Sequence, residues 1–474
     1  VAVDLVVRTS SGSVRGSAGA GVTRFLGIPY AAAPEGPLRF QGPAPVVPWS
    51  GERDATRFGV APPQGPLVPG MPSPWSPGDG VDSLSVNVYV PEGGGTGLPV
   101  MVWIYGGAYQ NGSSSLPGYD ATRLAESGVV VVTLNYRLGF DGFGVVPGAP
   151  ANRGLLDQVA ALRWVRSEIA AFGGDPANVT VFGESAGAGS IAVLLAADLG
   201  LFRRAIAQSV PSGYRSLEQA REVTRVVADE LGIDPSDFAS VPLEAVLAAQ
   251  SAPLRRARIG ITAFGPVVDG DLLTDQPWNL IARGAGRDVE LVCGFTHDEF
   301  RLFSTMIDLS AATPEDIVAA GPLPDSALAD YRAAYPGLAD RELIDTIMSD
   351  SLFRMPTTWT AQAHAAAGGR TWLYDFAWEG PLGACHGIDV PFTFGIADSP
   401  IAAMVLGSPV PDSFEALSAA LRASWTGFAR TGDPGWAPFT ENDQVTRRWD
   451  TDITEALYPI PESRDIWSAA RSRT

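Results

Sequence analysis

The chain has 474 residues, 33 basic and 52 acidic, for a formal charge of 33 − 52 = −19. Hydrophobic residues at 46% and charged residues at 18% describe a globular protein and exclude a disordered one. An acidic surface lacks the cations that neutralise phosphates, which argues against nucleic acid or an anionic membrane as partner.

Residues 1–60 read as short strands broken by turns, with Leu5-Val6-Val7, Ser11-Gly12-Ser13 and Val22 to Leu26 as hairpin punctuation. Residues 61–80 are dense in proline and glycine and predict an irregular loop. From Val86 strands alternate with helices. Pro99 to Tyr105, Val129 to Leu134 and Val179 to Phe182 are continuous apolar runs. Helices are predicted over Tyr119 to Ser127, Leu155 to Phe172 and Ala186 to Ala197, and later strands over Val289 to Phe295 and Thr371 to Trp378. Apolar strands separated by helices predict an α/β fold with a mainly parallel sheet covered on both faces. Residues 215–260 and 300–368 read as helical insertions in a single domain spanning 1–474.

The two cysteines, Cys293 and Cys385, cannot build a disulfide framework, and no Cys/His cluster suggests a metal. No apolar run approaches the roughly 20 residues of a membrane span. No signal segment is visible, although the chain starts at Val1 and a leader removed from a secreted protein would leave such a start. The expectation is a cytoplasmic protein.

The most informative stretch is Val179-Thr180-Val181-Phe182-Gly183-Glu184-Ser185-Ala186-Gly187. An apolar strand, Gly-x-Ser-x-Gly and a helix of small residues describe a sharp turn that lifts a serine hydroxyl clear of the sheet. The glycines relieve backbone crowding on either side, and the helix beginning at Ala186 aims its amide dipoles at a developing oxyanion. Gly106-Gly107-Ala108, after the run ending at Tyr105, offers a second group of amides.

Three histidines are present, His297, His364 and His386. His364 sits in a helical pattern. His297 leaves no acid before it at a strand end. His386 lies in the loop Gly383-Ala384-Cys385-His386-Gly387 and is the predicted base for Ser185. The acid should close the strand before Thr296-His297-Asp298-Glu299, where Asp298 and Glu299 qualify equally on spacing.

With these residues in place the chain resembles the type-B carboxylesterases, the cholinesterase-like branch of the α/β hydrolases, and in length the bacterial para-nitrobenzyl esterases. Phe25-Leu26-Gly27-Ile28-Pro29-Tyr30-Ala31, Asn135-Tyr136-Arg137-Leu138-Gly139, Phe172-Gly173-Gly174-Asp175-Pro176, the serine turn and Phe428 to Pro434 carry the resemblance over nearly the whole chain. It implies an α/β-hydrolase fold and a monomeric esterase that cleaves small-molecule carboxylic esters through an acyl-enzyme, with no cofactor. It selects Glu299 as the acid. It also implies an oxyanion hole at Gly106, Gly107, Ala108 and Ala186. Ser83 and Pro63 stand where many members carry a disulfide.

Trp75 falls close to a tryptophan that binds quaternary ammonium in cholinesterases, the alternative being an aromatic that covers apolar surface. Glu184 is expected either as a source of negative potential or as a hydrogen-bonding neighbour of the serine. Phe264, Phe300, Phe303 and Phe392 are candidates to line an apolar substrate pocket. The same triad also attacks amides, thioesters and lactones, and a silent binding protein of this fold is the remaining class.

Overall fold

A computed structural model describes residues 5–66, 72–256, 261–324, 326–468 and 470. Residues 67–71 of the proline-rich stretch and residues 257–260 of the first predicted insertion therefore lie outside the described residues. Among the described residues eleven strands form one sheet. From edge to edge the order is Thr454–Leu457, Val445–Trp449, Thr371–Phe376, Glu290–Thr296, Arg204–Gln208, Gly174–Glu184, Leu98–Ile104, Val130–Leu134, Ser85–Pro91, Val22–Pro29 and Ser17–Gly19. The strands from Val445–Trp449 to Val130–Leu134 run parallel, and those beyond them at both edges are antiparallel. A separate hairpin, Val6–Thr9 with Gly12–Arg15, matches the turn pattern read at the N-terminus.

The parallel strands are apolar without alternation because both faces are covered. Val100, Met101, Val102, Trp103, Ile104 and Val130 to Val132 are all fully buried. Trp103 packs against Phe182 and Phe394, each with ring centroids 4.9 Å away. The central strands are thereby joined to the helix Asp389–Phe394 behind the histidine loop.

Four elements differ from the sequence reading. The stretch from Tyr119 to Ser127 keeps only one α-turn, Thr122–Ala125, because Asp120 is extended (φ −61°, ψ 113°) after the 3-10 turn at Pro117–Tyr119. Arg204–Gln208 is a central strand that local pattern did not predict. Its sequence Arg-Ala-Ile-Ala-Gln has little strand propensity, and its two neighbours impose the conformation. The edge pair Val445–Trp449 and Thr454–Leu457 is polar and short, and was likewise not predicted.

Residues 215–256 carry the helices Leu217–Leu231, Leu243–Ala249 and Ala252–Arg256. Between 300 and 368 lie Pro314–Ala320, Ala327–Ala334, Asp340–Ser349 and Met355–Ala366, the last two joined by a π-turn at Asp350–Arg354. A buried ion pair ties the loop after Val130–Leu134 to the helix Arg153–Glu168. Arg137 Nε and Nη2 donate to Asp157 at 2.8 and 2.7 Å, and the Arg137 main-chain N–H donates to the same carboxylate. Among the described residues no helix is long and apolar enough to cross a membrane.

Candidate active site

Ser185, Glu299 and His386 each come from a segment that follows the carboxyl end of a parallel strand, where the sheet leaves a crevice and helix amides point outward. Ser185 follows Gly174–Glu184 and opens the helix Ala186–Ala196. Its backbone sits at φ 56°, ψ −122°, a strained conformation for a residue with a Cβ. Two contacts hold it there: the Ser185 N–H donates to Gln208 O at 2.9 Å, and Ser185 O accepts from Gly189 N at 2.9 Å. The flanking glycines are required by space. A Cβ on Gly183 would lie 2.5 Å from Ile104 O, and one on Gly187 would lie 1.9 Å from it.

His386 reaches the serine from the loop after Thr371–Phe376. Its Nε2 is 2.8 Å from Ser185 Oγ, and its Nδ1 is 2.5 Å from Glu299 Oε2. Glu299 follows the strand Glu290–Thr296, and its other oxygen accepts from Thr296 N at 3.0 Å. Both Glu299 and His386 are buried. The serine, the imidazole and the carboxylate therefore form one hydrogen-bonded row. Asp298, which spacing could not separate from Glu299, points away from this row and bonds the backbone of Ala384.

The loop after Leu98–Ile104 turns sharply against the serine. A Cβ on Gly106 would meet Glu184 Oε2 at 2.7 Å and Ser185 Cβ at 3.0 Å. Gly107 has φ 109°, and a Cβ there would lie 2.1 Å from Asn111 O. Ala108 and Tyr109 follow at φ 56° and 59°. Gln110 N and Asn111 N close the turn on Gly107 O, and the Thr262 hydroxyl lies 2.8 Å from Ala108 O. Ala186 supplies a first-turn helix amide, which has no acceptor within its own helix.

Glu184 stands closer to the reacting atoms than its sequence position alone reveals. Its Oε1 is 3.0 Å from His386 Nε2, the nitrogen that also faces Ser185. Burial pushes this carboxyl up to about 8, with His386 pulling the other way. Burial also pulls the His386 imidazole down, but Glu184 and then Glu299 outweigh it and lift the imidazole to about 9. The two groups titrate as a pair. Behind them Asp389 accepts from Gln208 Nε2 at 2.8 Å and Tyr374 OH at 3.1 Å, and burial raises its carboxyl to about 6.

The aromatic candidates divide. Phe303 packs on the imidazole with ring centroids 5.1 Å apart. Phe300 is fully buried beneath Phe303. Phe264 and Phe392 are not part of this constellation. Phe392 is enclosed by Phe376, Trp378 and Phe414, and Phe264 packs edge-on to Phe140, so core packing accounts for both. Trp75 is buried, and its indole N–H donates to Gly80 O within its own loop, which fits a cover over apolar surface.

Three participants went unread in the sequence: Gln208, Asp389 and Phe353. Phe353 lies 4.1 Å from the imidazole and stacks on Phe303. It projects from the π-turn, which is anchored by the buried Arg354–Asp350 pair at 3.0 Å and by Tyr331 OH donating to Asp350 at 2.6 Å. Asp389, three residues after His386, had a positional signal; Phe353 had none, because a π-turn has no sequence period. Cys293 and Cys385 are free and buried, and burial raises the Cys385 thiol to about 12. Among the described residues no cluster of His, Cys, Asp or Glu could hold a metal.

A family model described as the carboxylesterase family matches residues 3–320 and 336–457. The chain belongs to the carboxylesterase family. It is 38% identical over 490 residues to the para-nitrobenzyl esterase of Bacillus subtilis, covering 97% of both chains. It is 32% identical to the cholinesterase of Mus musculus, over 93% of this chain and 82% of that one. The solved carboxylesterase of Geobacillus stearothermophilus superposes with a TM-score of 0.87 at 36% identity, over 98% of this chain and all of that one. This carboxylesterase thus has the α/β-hydrolase fold expected from its sequence, and it is a carboxylic ester hydrolase.

Proposed function

We propose that the esterase cleaves small-molecule carboxylic esters through an acyl-enzyme formed on Ser185, with His386 as base and Glu299 as its orienting acid. The observation that carries this reading is the row Ser185 Oγ–His386 Nε2 at 2.8 Å and His386 Nδ1–Glu299 Oε2 at 2.5 Å. Glu299 accepts a hydrogen bond from Nδ1–H, which fixes the tautomer with Nε2 unprotonated and free to take the hydroxyl proton as Oγ attacks the carbonyl, and it then stabilises the imidazolium. Negative charge then develops on the carbonyl oxygen, beside the amides of Gly107, Ala108 and Ala186. Collapse breaks the bond to the alcohol, whose oxygen takes its proton from Nε2, and water repeats the sequence to release the acid.

The leaving oxygen must lie next to Nε2, so Phe303, packed on the imidazole, borders the alcohol portion of the substrate. Glu184 and Glu299 bring acidic side chains to the imidazole, which favours esters without a negative charge at the leaving group. One chain supplies the whole set, so a monomer suffices.

Ser185→Ala, assayed on p-nitrophenyl esters from acetate to palmitate and with a fluorophosphonate label, tests the assignment. The expected result is a loss of kcat on the order of a million-fold with no labelling, on a folded protein. Retained turnover or labelling refutes it.

A further inference from the structure

The loop that presents His386 is tied at both ends. At its far end Asp389 is held by Gln208 and Tyr374. At its near end Asp298 and Ala384 form a two-bond clasp. The Asp298 N–H donates to Ala384 O at 2.8 Å, and the Ala384 N–H donates back to Asp298 Oδ2 at 3.2 Å. Arg301 lies 3.4 Å from the Asp298 carboxylate and holds it from the solvent side. Gly383, at φ 70°, permits the approach: a Cβ there would lie 2.7 Å from Asp298 Oδ2 and closer still to Arg301. One residue further on, the His386 N–H donates to Glu299 O at 3.2 Å.

We propose that Asp298 is a positioning residue for the hydrolytic reaction, fixing the reach of His386 to Ser185 by gripping the backbone of Ala384. The inference rests on His386 being the base. The loop needs such a grip because Gly383 and Gly387, at φ 70° and 73°, leave its backbone permissive on both sides of the imidazole. Ala384 is fully buried, so its N–H has no water to turn to if the acceptor is removed. A displacement of about 1 Å at the reacting atoms costs about 100-fold in rate. What Ala384 requires of residue 298 is an acceptor oxygen and not a charge, which an amide oxygen also provides.

The test compares Asp298→Ala, Asp298→Asn and Glu299→Gln in kcat and KM on p-nitrophenyl acetate. The downfield NMR signal of the His386 Nδ1 proton is recorded for each variant. Asp298→Ala is expected to lose about 10- to 100-fold in kcat, with KM little changed and the signal broadened. Asp298→Asn should keep kcat within about threefold and retain the signal, because its side-chain oxygen replaces the acceptor. Glu299→Gln should lose far more than either. Asp298→Ala at full kcat beside an inactive Glu299→Gln overturns the proposal alone. Asp298→Asn inactive beside an active Glu299→Gln overturns the triad reading with it, by making Asp298 the acid. If the alanine variant does not fold, asparagine decides: retained kcat and signal support the clasp, and their loss overturns it.

Discussion

Replacing Glu184 by glutamine should move the pH dependence of the esterase towards acid. The carboxylate oxygen is 3.0 Å from His386 Nε2 in a buried site. At an effective dielectric constant of about 20, two unit charges at that distance attract by about 332/(20 × 3.0), or about 5.5 kcal/mol, which is a ceiling. Glu184 is itself pushed up to about 8, so it is neutral over part of the range and delivers less than that ceiling. An opposite charge this close typically moves a titration by about one to three pH units.

The sign follows from which form works. Only neutral imidazole accepts the Ser185 proton, and Glu184 favours the imidazolium, so the wild-type enzyme gains activity as pH rises towards the His386 value of about 9. Removing the carboxylate lowers that value. With an imidazole at about 9, the neutral form that works is a small minority at pH 7, and removing the carboxylate enlarges that share. The profile of kcat/KM for p-nitrophenyl acetate between pH 5.5 and 10, corrected for spontaneous hydrolysis, reads this directly. An acid limb that stays where it was in Glu184→Gln, or moves to higher pH, refutes the reasoning.

Other outcomes follow from single contacts. Gly107→Ala places a methyl 2.1 Å from Asn111 O at a φ that disfavours it, so the loop must shift and kcat should fall by about 10²- to 10³-fold, checked by steady-state kinetics. Asp157→Ala strands the buried Arg137 guanidinium and should cost about 3 to 5 kcal/mol in urea denaturation. Phe303→Ala opens the side where the alcohol leaves. It should change the ranking of esters with small and bulky alcohols more than the ranking of acyl chains, measured as kcat/KM ratios.

The fold was legible wherever the chain advertises burial. Val100 to Ile104 and Val130 to Val132 are buried on both faces of the sheet, and an uninterrupted apolar run is what such a strand must look like. Arg204–Gln208 fails that test because its place is imposed by neighbours and not by its own residues. The candidate site divides in the same way. Ser185 and the residues around Gly107 are visible because their backbone geometry demands glycine at fixed spacing. His386 is visible because histidine is scarce in this chain. Asp298 and Glu299 are adjacent and equal on spacing; the resemblance selects Glu299, and the three-dimensional turn after Thr296 places that carboxylate against the imidazole. Phe353 reaches that imidazole from a distant segment, and no local pattern announces such a contact.

The π-turn at Asp350–Arg354 gives the helical segment from Asp340 to Ala366 one residue more than a regular spiral would hold. At 3.6 residues per turn, a residue inserted into a regular helix would rotate everything after it by about 100°. The widened turn takes up that rotation locally, so the segments Asp340–Ser349 and Met355–Ala366 stay in phase as one rod. Excising a single amino acid here would leave both flanks in place and erase only the protrusion, which is the part of the rod that carries the phenyl group of Phe353 over the imidazole.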